Sequence, residues 1–279
     1  MRVKEILSQG RETLTANRIE DAGLEAEVLL RHALSVNRVQ LYLQQDRELS
    51  AEENENFRQS MRRRLNNEPT AYITGHREFY GRDIYVDDNV LIPRPETELL
   101  VETALGLAAN RPIHTIADIG TGSGAIAISL ALSLPQTRIY ATDISPAALR
   151  VAQINSRKHG VTDVLRLLQG DLLDPLPEPA DLIVANLPYV REEELSRVNT
   201  WHFEPSTALN GGYDGLDTIR RLGAQVDGKL RSGGGLLLEI GLAQGEAVTA
   251  FFRELFPSAE IKLIPDGNGI DRVVSLLTA

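Results

Sequence analysis

Two short stretches of this chain carry residue types at spacings that could do chemistry. The first is Asp118-Ile-Gly-Thr-Gly-Ser-Gly124, an aspartate followed by three alternating glycines. Glycines at 120, 122 and 124 let the backbone turn tightly and let a ligand approach the amides. A dinucleotide fingerprint would place its third glycine at 125, where this chain has Ala125. Asp143 follows 23 residues after Gly120 and ends the run Arg138-Ile-Tyr-Ala-Thr-Asp143. A carboxylate in that position can accept hydrogen bonds from both hydroxyls of a ribose. Asp171, in Gln169-Gly-Asp-Leu172, follows the third apolar run in the same way, with Leu172 beside it. The second stretch is Asn186-Leu-Pro-Tyr189, directly after the apolar run Asp181-Leu-Ile-Val-Ala185. Each feature has a plainer alternative: a glycine-rich turn without a ligand, an Asp143 that caps the next helix, an Asn-x-Pro turn after a buried strand.

The elements that position these residues can be read from periodicity. Residues 1–70 read as helices only, a small bundle. Val3, Ile6, Leu7 and Leu14 share a face, Leu24, Val28, Leu29 and Leu34 form a second stripe, and Phe57, Met61 and Leu65 a third. Ser50 with Glu53 is a capping box opening the helix that Pro69 closes. Residues 71–93 read as a linker containing a β-hairpin, with its turn at Gly81 between aromatic and β-branched residues. Two prolines around Arg94 stiffen the segment that follows. Over 94–279, strands at 115–119, 138–142, 164–168, 181–185 and 235–240 alternate with helices, including one near 215–230, and two further strands close the chain. That pattern predicts an α/β domain with a doubly wound, mainly parallel sheet. The Asn186 stretch then falls on the carboxyl edge of the sheet, where a reacting atom would meet a bound cofactor.

Composition narrows the function. The 279 residues carry 29 basic and 39 acidic side chains, net −10, with no cysteine. Residues 1–75 hold 11 basic and 12 acidic groups, so the acidity belongs to the remainder. A chain that grips nucleic acid by bulk charge would show clustered Lys and Arg. Disulfides, thiolate metal sites and cysteine nucleophiles are excluded. No stretch approaches the ~20 apolar residues of a membrane helix, so a soluble cytoplasmic protein, monomeric and without a metal, is expected.

The Asp118–Gly124 spacing resembles motif I of class I methyltransferases, which bind S-adenosylmethionine with its amino-acid moiety along the glycine loop. Asn186–Tyr189 resembles the N-P-P-Y motif of enzymes that methylate nitrogens conjugated to a carbonyl or an aromatic ring. Such a nitrogen is a poor nucleophile because its lone pair is delocalised. The side-chain carbonyl of Asn186 and the backbone carbonyl of residue 187 would accept its two N–H bonds and fix it against an electrophilic methyl. Pro188 would stiffen the turn and Tyr189 offer a ring face. Leu187 stands where the motif usually has proline, which puts the rigidity of the loop in question.

Across almost the whole length the chain is similar to the release-factor glutamine methyltransferase family, PrmC/HemK. The matching stretches are Tyr72-Ile-Thr-Gly75, Arg77-Glu-Phe79, Leu91-Ile-Pro-Arg-Pro-Glu-Thr-Glu98, the two motifs above, Phe203-Glu-Pro-Ser-Thr-Ala-Leu209 and Leu236-Leu-Leu-Glu-Ile-Gly241. The resemblance implies a class I methyltransferase fold with a seven-stranded sheet, S-adenosylmethionine as cofactor, and N5-methylation of the glutamine in the Gly-Gly-Gln motif of class I peptide chain release factors. By the same resemblance Asp118, Gly120, Thr121, Gly122, Ser123, Gly124, Asp143, Asp171, Leu172 and Asn186 face the cofactor. Asn186, Leu187, Pro188 and Tyr189 hold the glutamine, Arg94 and Glu204 shape its pocket, and the N-terminal bundle docks the release factor. No general base is expected, and all five histidines are read as bystanders, with His202 beside Trp201 the one to inspect. Two other classes compete: an adenine-N6 methyltransferase on RNA or DNA, disfavoured by the acidic charge and the absence of an evident basic stripe, so that no stable nucleic-acid partner is expected, and a non-catalytic cofactor-binding protein, disfavoured by the presence of both Asp143 and Asn186. A glutamine methyltransferase acting on a ribosomal protein is a nearer alternative.

Overall fold

A computed structural model describes residues 1–197 and 202–279; Trp201 lies outside the described residues, and the side chains of residues 196 and 197 are not described. The chain divides into two compact units, Met1–His76 and Arg77–Ala279.

The first unit is helical: α1 (Val3–Ala16), α2 (Ala22–Leu34), α3 (Arg38–Leu43), α4 (Ala51–Leu65) and α5 (Thr70–Thr74). The capping box at α4 is formed, with the Glu53 N–H donating to Ser50 Oγ at 3.1 Å and the Ser50 N–H donating to Glu53 Oε2 at 2.8 Å. Asn37 and Gln40 build a second box at α3. Val3, Ile6, Leu14, Leu29, Leu30, Phe57 and Met61 meet in one core. Leu24 does not join it and is 55% exposed. Because α2 starts at Ala22, its inner face runs through Ala22, Ala26, Leu29, Leu30 and Leu34, and Leu24 falls on the opposite side. Gly10 of α1 has no room for a side chain, since a Cβ there would lie 2.9 Å from the Phe57 ring.

The second unit begins within a hairpin, β1 (His76–Phe79) and β2 (Arg82–Tyr85). Its two turn residues, Tyr80 and Gly81, both have positive φ (50° and 67°), the backbone of a type I′ turn. The Tyr80 N–H is held by the Glu98 carboxylate at 2.9 Å, and Glu98 opens α6 (Glu98–Asn110). There follow β3 (Thr115–Ile119), α7 (Ala125–Ser133), β4 (Arg138–Asp143), α8 (Pro146–Lys158), β5 (Leu165–Gln169), β6 (Ala180–Ala185), α9 (Ser206–Leu209), α10 (Asp217–Gln225), β7 (Leu230–Glu239), α11 (Gly245–Leu255), β8 (Glu260–Pro265) and β9 (Asp271–Leu277). The seven strands lie in the order β5-β4-β3-β6-β7-β9-β8, with β9 antiparallel to both neighbours and the other pairings parallel. This is the doubly wound, mainly parallel sheet that the alternation of strands and helices predicts.

Two boundaries differ from the sequence reading. The helix near 215–230 stops at Gln225, because the chain turns at Gly228 with φ +75°. β7 starts at Leu230 rather than Gly235: its pairing with β6 slips between Ala180↔Leu230 and Leu182↔Gly235, so the glycine run 233–235 is taken up in a bulge. Helix α7 is apolar nearly all round, with seven of its nine residues buried.

Strand order and register decide where the site lies. β3 is central, with the chain crossing to β4 on one side and β6 on the other. Ile119 is level with Thr142 of β4 and with Ala185 of β6. The residues just beyond these three ends, Gly120, Asp143 and Asn186, therefore converge at the switch point of the sheet, where α/β folds bind ligands.

Candidate active site

The loop from β3 to α7 is built to stay in place. The Gly120 and Thr121 N–H groups both donate to the Thr142 carbonyl at 2.9 Å, and the Gly124 N–H to the Thr121 carbonyl at 2.8 Å. Gly120, Gly122 and Gly124 all have positive φ. Asp118 lies beneath the loop, fully buried, and its Oδ2 accepts the Thr121 hydroxyl at 2.6 Å. Burial raises its pKa to about 7, against the pull of that hydrogen bond. Asp143 organises the loop from the other side: its Oδ2 accepts the Gly122 N–H and its Oδ1 the Ser145 N–H, both at 2.9 Å. The helix α8 is capped by Ser145, whose Oγ accepts the Ala148 N–H. Asp143 thus remains at the wall of the site, with burial raising its pKa.

Gly120–Ser123, Asp143 and Ser145 line a cavity of about 340 Å³, together with Phe79, Arg94, Thr97, Ile144, Asp171, Leu172, Asn186, Leu187 and Pro188. Of the residues singled out in the sequence, Gly120, Thr121, Gly122, Ser123, Asp143, Asp171, Leu172, Asn186, Leu187, Pro188 and Arg94 reach the cavity wall. Asp118, Gly124, Tyr189 and Glu204 stand behind it. Gly124 is packed under the loop, where a Cβ would come within 3.2 Å of Ile128 and 3.3 Å of Ala152. Glu204 is buried, and its two oxygens accept the Ile92 N–H at 3.1 Å and the Arg94 guanidinium at 2.5 Å, clamping the proline-bracketed segment.

Asn186 donates its Nδ2–H to the Thr97 hydroxyl oxygen at 3.0 Å. The carbonyl Oδ1 is then the end of the amide left for a ligand. Leu187 turns its side chain down into the sheet core, and its Cδ2 would lie 3.3 Å from a Cβ at Gly120. A leucine in place of the usual proline therefore holds the turn by packing. The Tyr189 phenol donates to Glu239 Oε1 at 3.2 Å, its backbone carbonyl accepts from Gln244 Nε2 at 2.9 Å, and burial followed by the Glu239 charge raises its pKa. Its ring is tied back into the fold and does not face the cavity.

Four residues that this site uses were not singled out by the sequence reading. Arg221 of α10 pairs with the Asp171 carboxylate. Asn155 of α8 donates to the carbonyls of Ser123 and Tyr85, each at 2.9 Å. Thr97 and Glu239 flank the Asn186 turn. Glu239 offered one signal: it is a lone acid in the apolar run Leu236-Leu-Leu-Glu-Ile240. Burial raises its pKa to about 7, with the Thr97 and Tyr189 hydroxyls pulling the other way. Among the described residues no group of acids and histidines is arranged to hold a metal ion, and no helix is long and apolar enough to cross a membrane.

The donor set suits an adenosyl ligand bearing an amino acid. A carboxylate stands at the end of β4, a glycine loop has space over Gly122, where a Cβ would meet nothing nearer than 4.0 Å, and apolar walls are supplied by Ile144 and Leu172. Fold and site together define a class I methyltransferase, the fold class that uses S-adenosylmethionine as methyl donor. Residues 5–75 match the PrmC N-terminal domain, and residues 95–206 match the methyltransferase small domain. A release factor glutamine methyltransferase from Moorella thermoacetica is 45% identical over 98% of this chain and 97% of its own length. One from Koribacter versatilis is 41% identical over 98% of each. Among solved structures, a methyltransferase from Pyrococcus furiosus superposes with a TM-score of 0.54 at 18% identity, covering 72% of this chain and 91% of that one, a likeness of fold. The chain belongs to the release factor glutamine methyltransferase family.

Proposed function

We propose that the protein transfers a methyl group from S-adenosylmethionine to the side-chain amide nitrogen of the glutamine in the Gly-Gly-Gln motif of class I peptide chain release factors. The observation that carries this reading is the orientation of Asn186, whose Nδ2 is committed to Thr97 and whose carbonyl is left to accept an N–H of a substrate amide. When bound, the cofactor would supply a methyl group on a sulfonium, whose S–CH3 bond breaks to release a neutral thioether that needs no acid.

The chain's own residues do the rest by placement. Asn186 Oδ1 accepts one N–H of the glutamine amide and the residue 187 carbonyl accepts the other, turning the nitrogen toward the methyl and favouring the positive charge that grows on it. Pro188 and the buried side chain of Leu187 keep the two acceptors in register. Arg94, held by Glu204, forms part of the wall near the entering side chain. Gly120–Ser123 and Asp143 hold the cofactor, with Leu172 and Ile144 against its base. The nitrogen releases its proton to water as the bond forms, so no histidine is required. The N-terminal helical unit docks a second part of the release factor.

The test is incubation of the protein with labelled cofactor and an intact release factor, or with RNA and DNA. Label on the Gly-Gly-Gln glutamine, seen as one added methyl group in the peptide, is expected. Label confined to nucleic acid would overturn the reading.

A further inference from the structure

Thr97 occupies the N-cap position of α6, yet its side chain makes no capping hydrogen bond, although Thr at an N-cap ordinarily caps the helix with its oxygen. The hydroxyl is instead buried and receives the Asn186 Nδ2–H at 3.0 Å. Glu239, 2% exposed, takes the Tyr189 phenol at 3.2 Å, and the Thr97 hydroxyl is a second donor that pulls its pKa down. The second Glu239 oxygen, Oε2, is buried and has no hydrogen-bond partner among the described residues.

A primary amide presents a carbonyl at one end and an NH₂ group at the other, and Asn186 is useful only one way round. With Oδ1 toward the cavity it accepts from a substrate N–H. Flipped, it would present donors to a nitrogen that is itself a donor. A hydroxyl alone does not choose between these, because it can accept from Nδ2 or donate to Oδ1. Above about pH 7, where Glu239 is a carboxylate and offers acceptors only, the ambiguity is removed: the Thr97 proton turns to it and the Thr97 lone pair is left for Asn186 Nδ2. The geometry points to Thr97 as a positioning residue that, backed by Glu239, sets which end of the Asn186 amide faces the substrate. This rests on the reading of the site under Proposed function, and it gives Thr97 and the lone acid of β7 a joint task.

The variants are Thr97→Val, which keeps the shape and removes the hydroxyl, Thr97→Ser, which keeps the hydroxyl, and Glu239→Gln, whose amide can offer Thr97 a donor. Assayed on intact release factor, Thr97→Val should lose about tenfold or more in kcat, while cofactor Kd and release-factor KM move by less than about threefold. Thr97→Ser should restore most of the loss. Wild-type kcat in Thr97→Val, or an equal loss in Thr97→Ser, would overturn the proposal. If Thr97→Val fails to bind cofactor, Glu239→Gln decides: a loss of about tenfold in kcat is expected, and unchanged kcat overturns it. A reading independent of substrate comes from the Asn186 side-chain NH₂ resonances. One proton should be protected from exchange in wild type and Thr97→Ser and unprotected in Thr97→Val; equal protection in all three would overturn the proposal. A wild-type enzyme that leaves the glutamine unmodified while showing this protection would sink the substrate reading alone.

Discussion

Tyr85 and Asn155, seventy residues apart, are joined by a reciprocal pair of hydrogen bonds: the Tyr85 N–H donates to Asn155 Oδ1 at 2.8 Å and Asn155 Nδ2 donates to the Tyr85 carbonyl at 2.9 Å. The side-chain amide acts as a neighbouring strand one residue long. The same Nδ2 also reaches the Ser123 carbonyl, so one buried side chain in α8 fixes both the end of the hairpin and the glycine loop.

Asn155→Ala removes the side-chain partner of three backbone groups, two of them on half-buried Tyr85, and should destabilise the protein by about 2–4 kcal/mol. Because one of those groups belongs to Ser123, cofactor affinity should fall as well. Urea unfolding and calorimetric titration read the two effects. A loss of stability with unchanged cofactor affinity would mean that the loop holds its shape without Asn155.

The glycines of the loop are not equivalent. A Cβ at Gly122 would find its nearest neighbour at 4.0 Å, whereas one at Gly124 would press on Ile128 and Ala152 at 3.2–3.3 Å. Both have positive φ, which costs a non-glycine residue about 1–2 kcal/mol. Gly122→Ala should cost about that much stability, and Gly124→Ala about 1–3 kcal/mol more from overpacking. Urea midpoints of the two variants provide the comparison.

Asn186→Ala should reduce kcat by about 10²–10³-fold while cofactor binding stays measurable. Asn186 is one half-buried residue of the cavity wall; under the proposed reading its Oδ1 meets the substrate amide, while Gly120–Ser123 and Asp143 carry most of the cofactor's contacts. Single-turnover methylation with pre-bound cofactor isolates the effect, and unchanged turnover would refute the role.

Glu239 also predicts a pH dependence of stability. Its carboxyl is held at about 7, against 4.5 for the free side chain. Between those values the folded chain keeps a proton that the unfolded chain has lost. The stabilisation is therefore present below about pH 4.5 and is lost as pH rises through 7. Glu239→Gln lacks this loss, so its stability relative to wild type should improve by on the order of 2 kcal/mol between pH 5 and pH 8. Asp118 is raised in the same direction but is common to both proteins and cancels. Urea unfolding at the two pH values measures the difference.

The sequence made the sheet legible because its strands are short apolar runs ended by Gly, Asp or Asn, and because the loop glycines are spaced for one kind of turn. Asp143 and Asn186 could be placed since strand ends in a parallel sheet come level. What periodicity could not reach were side chains acting across long separations. Asn155 sits on a helix face where a polar residue reads as solvent-facing, and only the packing of β2 against α8 buries it. Tyr189 follows a proline in a motif, and nothing in its neighbours reveals that its phenol turns toward a buried acid fifty residues later. Leu24 groups by spacing with Val28, Leu29 and Leu34, whereas the buried face of α2 is marked by two alanines, Ala22 and Ala26, which stand out less in a sequence than a leucine does. Arg221 lies on an amphipathic helix whose polar face gives no hint that one member closes on Asp171.

Helix α7 takes up the chain where the glycine loop ends, and it touches water on hardly any side; even Ser129 returns its hydroxyl to the Ala125 carbonyl at 2.7 Å. Amides in such a segment exchange with deuterium only when the whole domain opens. One end of the ligand loop is therefore moored to a segment expected to exchange slowly. That makes the glycine loop the fixed jaw of the cavity.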